Sequence, residues 1–328
     1  MKVISILNYK GGVGKTTLTA CTAQALAITG FRVLAIDNDP QHNLTYILGC
    51  EAGRPNIRDI YHGSIGVASQ NLFKAIKNTN ISHLSLIPSS NDLCANDIKD
   101  PYLLKKCFEY SGLDRFFDYI LIDNSPGLDV LQESSIHASN EIFVPTELSQ
   151  YAINGICEMR DILDKKFPDD CSITKIIPNF YKNTKLQDAA IMELEYFFPN
   201  IITKTAIPFD SVFDILVKER KILFLHRLSS KVSAYYIKLI HELFDLDVEK
   251  TWQMVMEKKK EHVSNEARKR FFEHRPDLKK KKASTINENQ EVLNDIKETN
   301  KCSNEFNQSN QPLLLLNGPV DTNPSGPS

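Results

Sequence analysis

Residues 2–18 read KVISILNYKGGVGKTTL: a β-branched apolar run, a turn with three glycines, then Lys-Thr-Thr opening a helical pattern. Few local patterns constrain a fold as tightly. In the loop G-x-x-x-x-G-K-[ST], successive backbone N–H groups point inward around phosphate oxygens, and the helix that follows directs its positive end at them. Glycine is needed because side chains would block so close an approach. Gly14, Lys15 and Thr16 supply the second half of the pattern. Tyr9 stands where the first glycine is usual, and an extra lysine, Lys10, stands beside it. Gly11, Gly12, Val13, Gly14 and Thr17 are therefore expected to wrap phosphates. Lys15 is expected to reach the β- and γ-phosphates of a bound nucleotide, and the Thr16 hydroxyl to bind Mg²⁺.

Downstream, short apolar runs alternate with amphipathic stretches. Strands are expected at Val3–Leu7, Arg32–Asp37, Leu84–Pro88, Asp118–Asp123, Glu141–Pro145, Ile173–Pro178 and Lys204–Ile207. Helices are expected at Lys15–Thr29, Pro101–Tyr110, Val130–Ala138, Ala152–Phe167, Leu186–Phe198 and Ser230–Phe244. Continuous β-branched strands between helices predict a parallel sheet covered on both faces. Ligands of such sheets sit beyond the carboxyl ends of the strands. Asp123 falls there and is expected to hold the metal. Asp37 and Asp39, in IDNDPQHN (36–43), fall at the next strand end. One can support the metal shell and the other can orient a water toward the γ-phosphate.

The 328 residues are 42% hydrophobic and 24% charged, the balance of a globular chain. The seven cysteines include no C-x-x-C pair, which fits reduced thiols in a cytoplasmic setting rather than a disulfide frame or a zinc site. No apolar run nears the roughly 18 residues of a membrane span. Near Leu246 the composition changes: residues 248–282 hold twelve Lys/Arg against six Asp/Glu. From about Ser284 the chain is rich in Asn, Ser, Gln and Pro, too polar to offset its ordering entropy, and disorder is expected. The expected organisation is a P-loop nucleotide-binding domain over 1–246, a basic helical extension over 247–283 and a disordered tail over 284–328.

Three segments together, KGGVGKTT (10–17), IDNDPQHN (36–43) and DYILIDNSP (118–126), resemble the ParA/MinD family of deviant Walker A ATPases. The resemblance is nearest to ParA-like partition ATPases that lack an N-terminal helix-turn-helix, and it covers about residues 1–246. It implies an α/β P-loop NTPase with a mostly parallel twisted sheet flanked by helices. It implies a slow ATPase acting on ATP with Mg²⁺, with Lys10 reaching across a nucleotide-sandwich homodimer to the partner's phosphates, much as an arginine finger does. By the same match Asp39 is the hydrolysis aspartate, Asp37 a metal-side partner, Asp123 the Walker B carboxylate, and Asn179 and Pro208 flank the adenine. His42, the NSP of 124–126 and Phe209 depart from the family's usual residues.

The resemblance also implies nonspecific DNA binding by the ATP-bound dimer and a centromere-binding, ParB-like adaptor that stimulates hydrolysis, giving a cytoplasmic, nucleoid-associated protein. Lys218, Arg220, Lys221, Arg227 and Lys231 form the expected DNA patch, and the basic extension is a second candidate. Membrane binding is not expected, because Leu313–Leu316 sits among Asn, Pro and Gly without a basic face opposite. The alternatives are a same-fold ATPase that positions a protein or membrane-associated cargo, and a nucleotide-dependent DNA-binding regulator with negligible hydrolysis.

Overall fold

The computed structural model describes residues 1–168, 170–213, 215, 223–226 and 230–273. The chain divides into two units, Met1–His262 and Val263–Ser328. Among the described residues of the first, seven strands form one sheet: β1 (Lys2–Ile6), β2 (Val33–Asn38), β3 (Lys77–Asn78), β4 (Leu84–Ile87), β5 (Tyr119–Asn124), β6 (Glu141–Glu147) and β7 (Ile173–Asn179). Their order is β3-β4-β2-β5-β1-β6-β7. All neighbours run parallel except the short edge pair β3–β4. The central strands are buried on both faces, as their unbroken apolar runs require: β2 is buried at every position.

One face of the sheet is covered by α1 (Lys15–Ile28), α2 (Asn43–Ile47), α9 (Leu223–His226) and α10 (Lys231–Phe244). The other carries α3 (Ile57–Tyr61), α4 (Ile65–Ala75), α5 (Leu103–Ser111) and α6 (Val130–His137) over β2 and β5. Beside them α7 (Gln150–Lys166) and α8 (Lys185–Phe197) cover β6 and β7. Side chains alternate between the layers: Ala35 and Leu121 join the α1 side, Ile36 and Ile122 the α3–α6 side. The last helix, α11 (Val248–Glu273), begins by burying Thr251 and Val255, with Trp252 packed on the same core. The basic composition after 246 thus coexists with a buried first stretch of this helix within the first unit. Among the described residues no helix is long and apolar enough to cross a membrane.

The strand expected at Lys204–Ile207 is absent. Isolated bridges join Ile202 to Ile176 and Pro208 to Tyr181. Between them the Lys204 and Thr205 amides donate to the Glu242 carboxylate of α10, the latter at 3.0 Å, so only Ile207 of the segment pairs with β7, its amide donating to the Pro178 carbonyl at 2.9 Å. The expected tail lies outside the described residues.

Candidate nucleotide-binding site

A cavity of about 430 Å³ opens at the carboxyl ends of the strands. Gly12, Gly14, Lys15, Thr16 and Thr17 form one wall. Asp39, Gln41 and Asn43 follow β2, Pro126 follows β5, and Asn179 and Phe180 close β7. Gly12 and Gly14 hold φ of +74° and +91°, left-handed conformations that glycine adopts without strain. Gly14 is the N-cap of α1 and no side chain caps that helix, which leaves its first-turn N–H groups to a ligand. A Cβ at Gly14 would lie 2.3 Å from Asn179 Nδ2, so the loop passes directly over that amide. Asn179 in turn donates to the Val13 carbonyl at 2.9 Å. Gly11 and Val13 shape the loop from outside the cavity wall.

Lys15 is buried, and its ammonium donates to the carbonyls of Asn8 and Lys10, both at 3.0 Å. The loop therefore closes around its own lysine. Burial lowers the Lys15 pKa, opposed by the charges of Asp123 and Asp39. Asp123 is fully buried; Oδ1 accepts from Thr19 Oγ1 at 3.2 Å, while Oδ2 is buried with no hydrogen-bond partner. Desolvation first, and then the charge of Asp37, hold its pKa well above the carboxylate range, with the Thr16 hydroxyl and Lys15 working the other way.

Asp37, expected beside the metal, does not line the cavity. Its Oδ2 accepts from the Thr45 amide and hydroxyl, each at 2.7 Å, and Oδ1 accepts from the Asp39 amide at 3.2 Å. Both oxygens are taken by the backbone and side chain of α2 and the loop before it, which makes Asp37 the anchor of that loop. Burial pushes its pKa up to about 6. Asp39 lines the cavity, and its Oδ1 accepts from the Gln41 amide at 2.9 Å.

Lys10 is exposed, lies outside the cavity lining of its own chain, and pairs with Glu147, which also accepts from Ser149 Oγ at 2.9 Å. Pro208 likewise stands outside the lining, while Phe209 and Asp210 enter it. With Phe180, Phe213 and Tyr236 they give the cavity an aromatic end; the Phe180 and Phe209 rings meet edge to face at 6.3 Å. The sequence marks Phe209 only as a departure from the family and does not single out Phe180, Phe213 and Tyr236, because they come from three separate segments. The signal it offers is the pair of aromatics directly after Asn179 and Pro208. Lys218, Arg220, Lys221 and Arg227 lie outside the described residues. Lys231 is exposed on α10, where it and Lys238 flank the Tyr235 ring at 5.9 Å each. Lys238 is legible only once 231, 235 and 238 are placed on one helical face.

A family model for an AAA domain matches residues 1–169. The chain is 29% identical over 252 residues to the sporulation initiation inhibitor protein Soj of Bacillus subtilis, covering 74% of this chain and 98% of Soj. It is 28% identical over 255 residues to the chromosome partitioning protein ParA of Caulobacter vibrioides, covering 74% and 94% respectively. Among solved structures it is similar to the septum site-determining protein MinD of Pyrococcus horikoshii, complexed with Mg-ADP, with a TM-score of 0.62 and 26% identity over 74% of this chain and 96% of that one. Phosphate loop, sheet order and these relatives agree: the chain belongs to the ParA/MinD family of P-loop ATPases.

Proposed function

We propose that this chain is a Mg²⁺-dependent ATPase that dimerises on ATP, binds DNA nonspecifically as a dimer, and is stimulated by a ParB-like adaptor so as to segregate or position a plasmid or chromosome locus. The observation that carries the reading is the cavity itself: a glycine loop around a buried lysine, facing Asp39 and backed by Asp123. The donor set fits a metal–triphosphate. Asp123 offers a buried oxygen without a partner, the Thr16 hydroxyl lines the cavity, and the uncapped end of α1 faces phosphate. Thr16 and Asp123 would hold Mg²⁺, which neutralises charge on the β- and γ-oxygens.

The chain's own residues supply the rest. Lys15 and the loop amides hold the phosphates. Asp39, fixed through Asp37 and the Gln41 amide, orients the attacking water. The aromatic end of the cavity takes the base. Lys10 lies outside its own cavity lining, which supports a role toward the phosphates of a second copy. In this state its ammonium is held by Glu147. Lys231 and Lys238 beside Tyr235 offer cations and a ring to a nucleic-acid backbone.

Fluorescence anisotropy of labelled duplex DNA with the full chain tests the reading. Binding is expected with ATP or a non-hydrolysable analogue and not with ADP, and it should weaken steeply with salt. Equal binding with ADP would contradict it.

A further inference from the structure

The two strands that carry the site's carboxylates end in the same tripeptide, Ile-Asp-Asn, at 36–38 on β2 and 122–124 on β5. The copies lie side by side in register, Asp37 opposite Asp123 and Asn38 opposite Asn124. Side chains alternate across a strand. The aspartates therefore face α1, where Thr19 meets Asp123, and the asparagines face the layer of α3 and α6.

Amides are out of place in that layer. Both asparagines are fully buried among Leu34, Ile36, Ile57, Ile60, Ile120 and Ile122. An unpaired amide there would be strongly destabilising. Each donor is satisfied instead. Tyr61 Oη donates to Asn38 Oδ1 at 3.0 Å. Asn38 Nδ2 donates to Asn124 Oδ1 at 2.9 Å and to the Leu131 carbonyl at 3.0 Å. Asn124 Nδ2 donates to Ser5 Oγ at 2.8 Å and to the Ile6 carbonyl at 3.2 Å. The Ser5 and Ser135 hydroxyls are 3.0 Å apart, and Ser135 Oγ donates to the Gln132 carbonyl at 2.9 Å. One hydrogen-bonded row thus runs from α3 across β2, β5 and β1 to α6.

Both ends of the pair touch the site. Asp39 follows Asn38 directly, Pro126 comes two residues after Asn124, and both line the cavity. Gln132 of α6 also donates to the Ser125 hydroxyl at 2.6 Å, tying the helix to the loop ahead of it. An apolar pair would fill the layer without burying amides, so stability alone does not account for two asparagines. A fully satisfied buried network instead specifies one arrangement.

We propose that Asn38 and Asn124 are positioning residues for ATP hydrolysis: their bridge sets the spacing of the strand ends that carry Asp39 and Asp123 and links that spacing to α6. The inference rests on the ATPase reading above.

The test compares the full-length wild type with Asn38→Leu/Asn124→Leu and with Tyr61→Phe. Melting temperature, equilibrium ATP affinity and single-turnover hydrolysis at saturating Mg-ATP are measured for each. The double replacement removes both side-chain amides together, while the Tyr61 hydroxyl and the Leu131 and Ile6 carbonyls lose their asparagine partners, a cost read in the melting temperature. It is expected to keep ATP affinity within about threefold while hydrolysis falls about tenfold or more, because small misplacements of reacting groups act on rate. Tyr61→Phe keeps the ring in the layer and is expected to slow hydrolysis about threefold at unchanged affinity. If the double replacement does not fold, Tyr61→Phe decides by the same criteria. Hydrolysis within about twofold of wild type at unchanged affinity overturns the proposal. So does a loss of rate that merely follows losses of affinity and melting temperature, which is what a purely structural bridge gives. Wild type that binds ATP without hydrolysing it overturns the ATPase reading and this inference together, whereas active variants beside an active wild type overturn the bridge alone.

Discussion

At Gly14 the backbone sits at φ +91°, and an added Cβ would meet Asn179 Nδ2 at 2.3 Å. Gly14→Ala therefore carries both backbone strain and a clash. It is expected to lose nucleotide binding and about 1–3 kcal/mol of stability, read by equilibrium nucleotide titration and denaturant unfolding. His42 is the opposite case. It stands at φ +44° as the N-cap of α2, where its side chain caps no helix N–H and reaches only the Pro40 carbonyl, at 3.4 Å. His42→Gly is expected to raise stability by about 1 kcal/mol, measured as a shift in denaturant midpoint at constant slope. Asp37 gives a pH dependence. Its folded pKa, about 6, lies above the unfolded carboxylate value, so the folded state binds more protons between the two. The stability it contributes is fully present below about pH 4 and is lost as pH rises through about 6. Asp37→Asn removes that slope. Between about pH 4 and pH 7 the variant should gain on wild type by up to about 3 kcal/mol, and urea unfolding at both pH values measures the difference.

At the scale of elements, β1, the glycine loop and α1 were legible because three independent patterns coincide: an apolar run, a turn that needs glycine, and a helix start. β2 and β5 were legible because burial on both faces leaves no alternation. The helices between residues 43 and 75 were not read. α2 and α3 have five residues each, too few to show a helical period, and they are held by contacts distant in sequence, such as Tyr61 with Asn38. Lys204–Ile207 has a composition that suits a strand, but the Glu242 carboxylate takes the Lys204 and Thr205 amides and leaves only Ile207 to pair with β7. The carboxylates at strand ends were found from position alone. Their division of labour was not, since it depends on which oxygens Thr45 and Thr19 occupy. Glu147 at the end of β6 holds Lys10, and Ser149, the N-cap of α7, holds Glu147. Glu147→Gln keeps the Ser149 contact while weakening the pull on Lys10. It is expected to lower the ATP concentration needed for dimerisation, followed by sedimentation at fixed protein concentration.

For the whole molecule, the phosphate loop, the anchored Asp39 loop and an exposed Lys10 outside its own cavity lining are what the proposed dimer needs from each chain. The account requires that two chains complete each other, which a mixing experiment reads directly. Lys10→Ala cannot lend a cation to its partner, and Asp39→Ala cannot orient the water in its own cavity. Each variant alone should be inactive. In an equal mixture half of the dimers pair one with the other, and each such dimer holds one intact site. Turnover in the mixture should therefore return to about a quarter of the wild-type rate. A mixture no more active than its separate components, or a Lys10→Ala variant that hydrolyses ATP at the wild-type rate, would contradict the account.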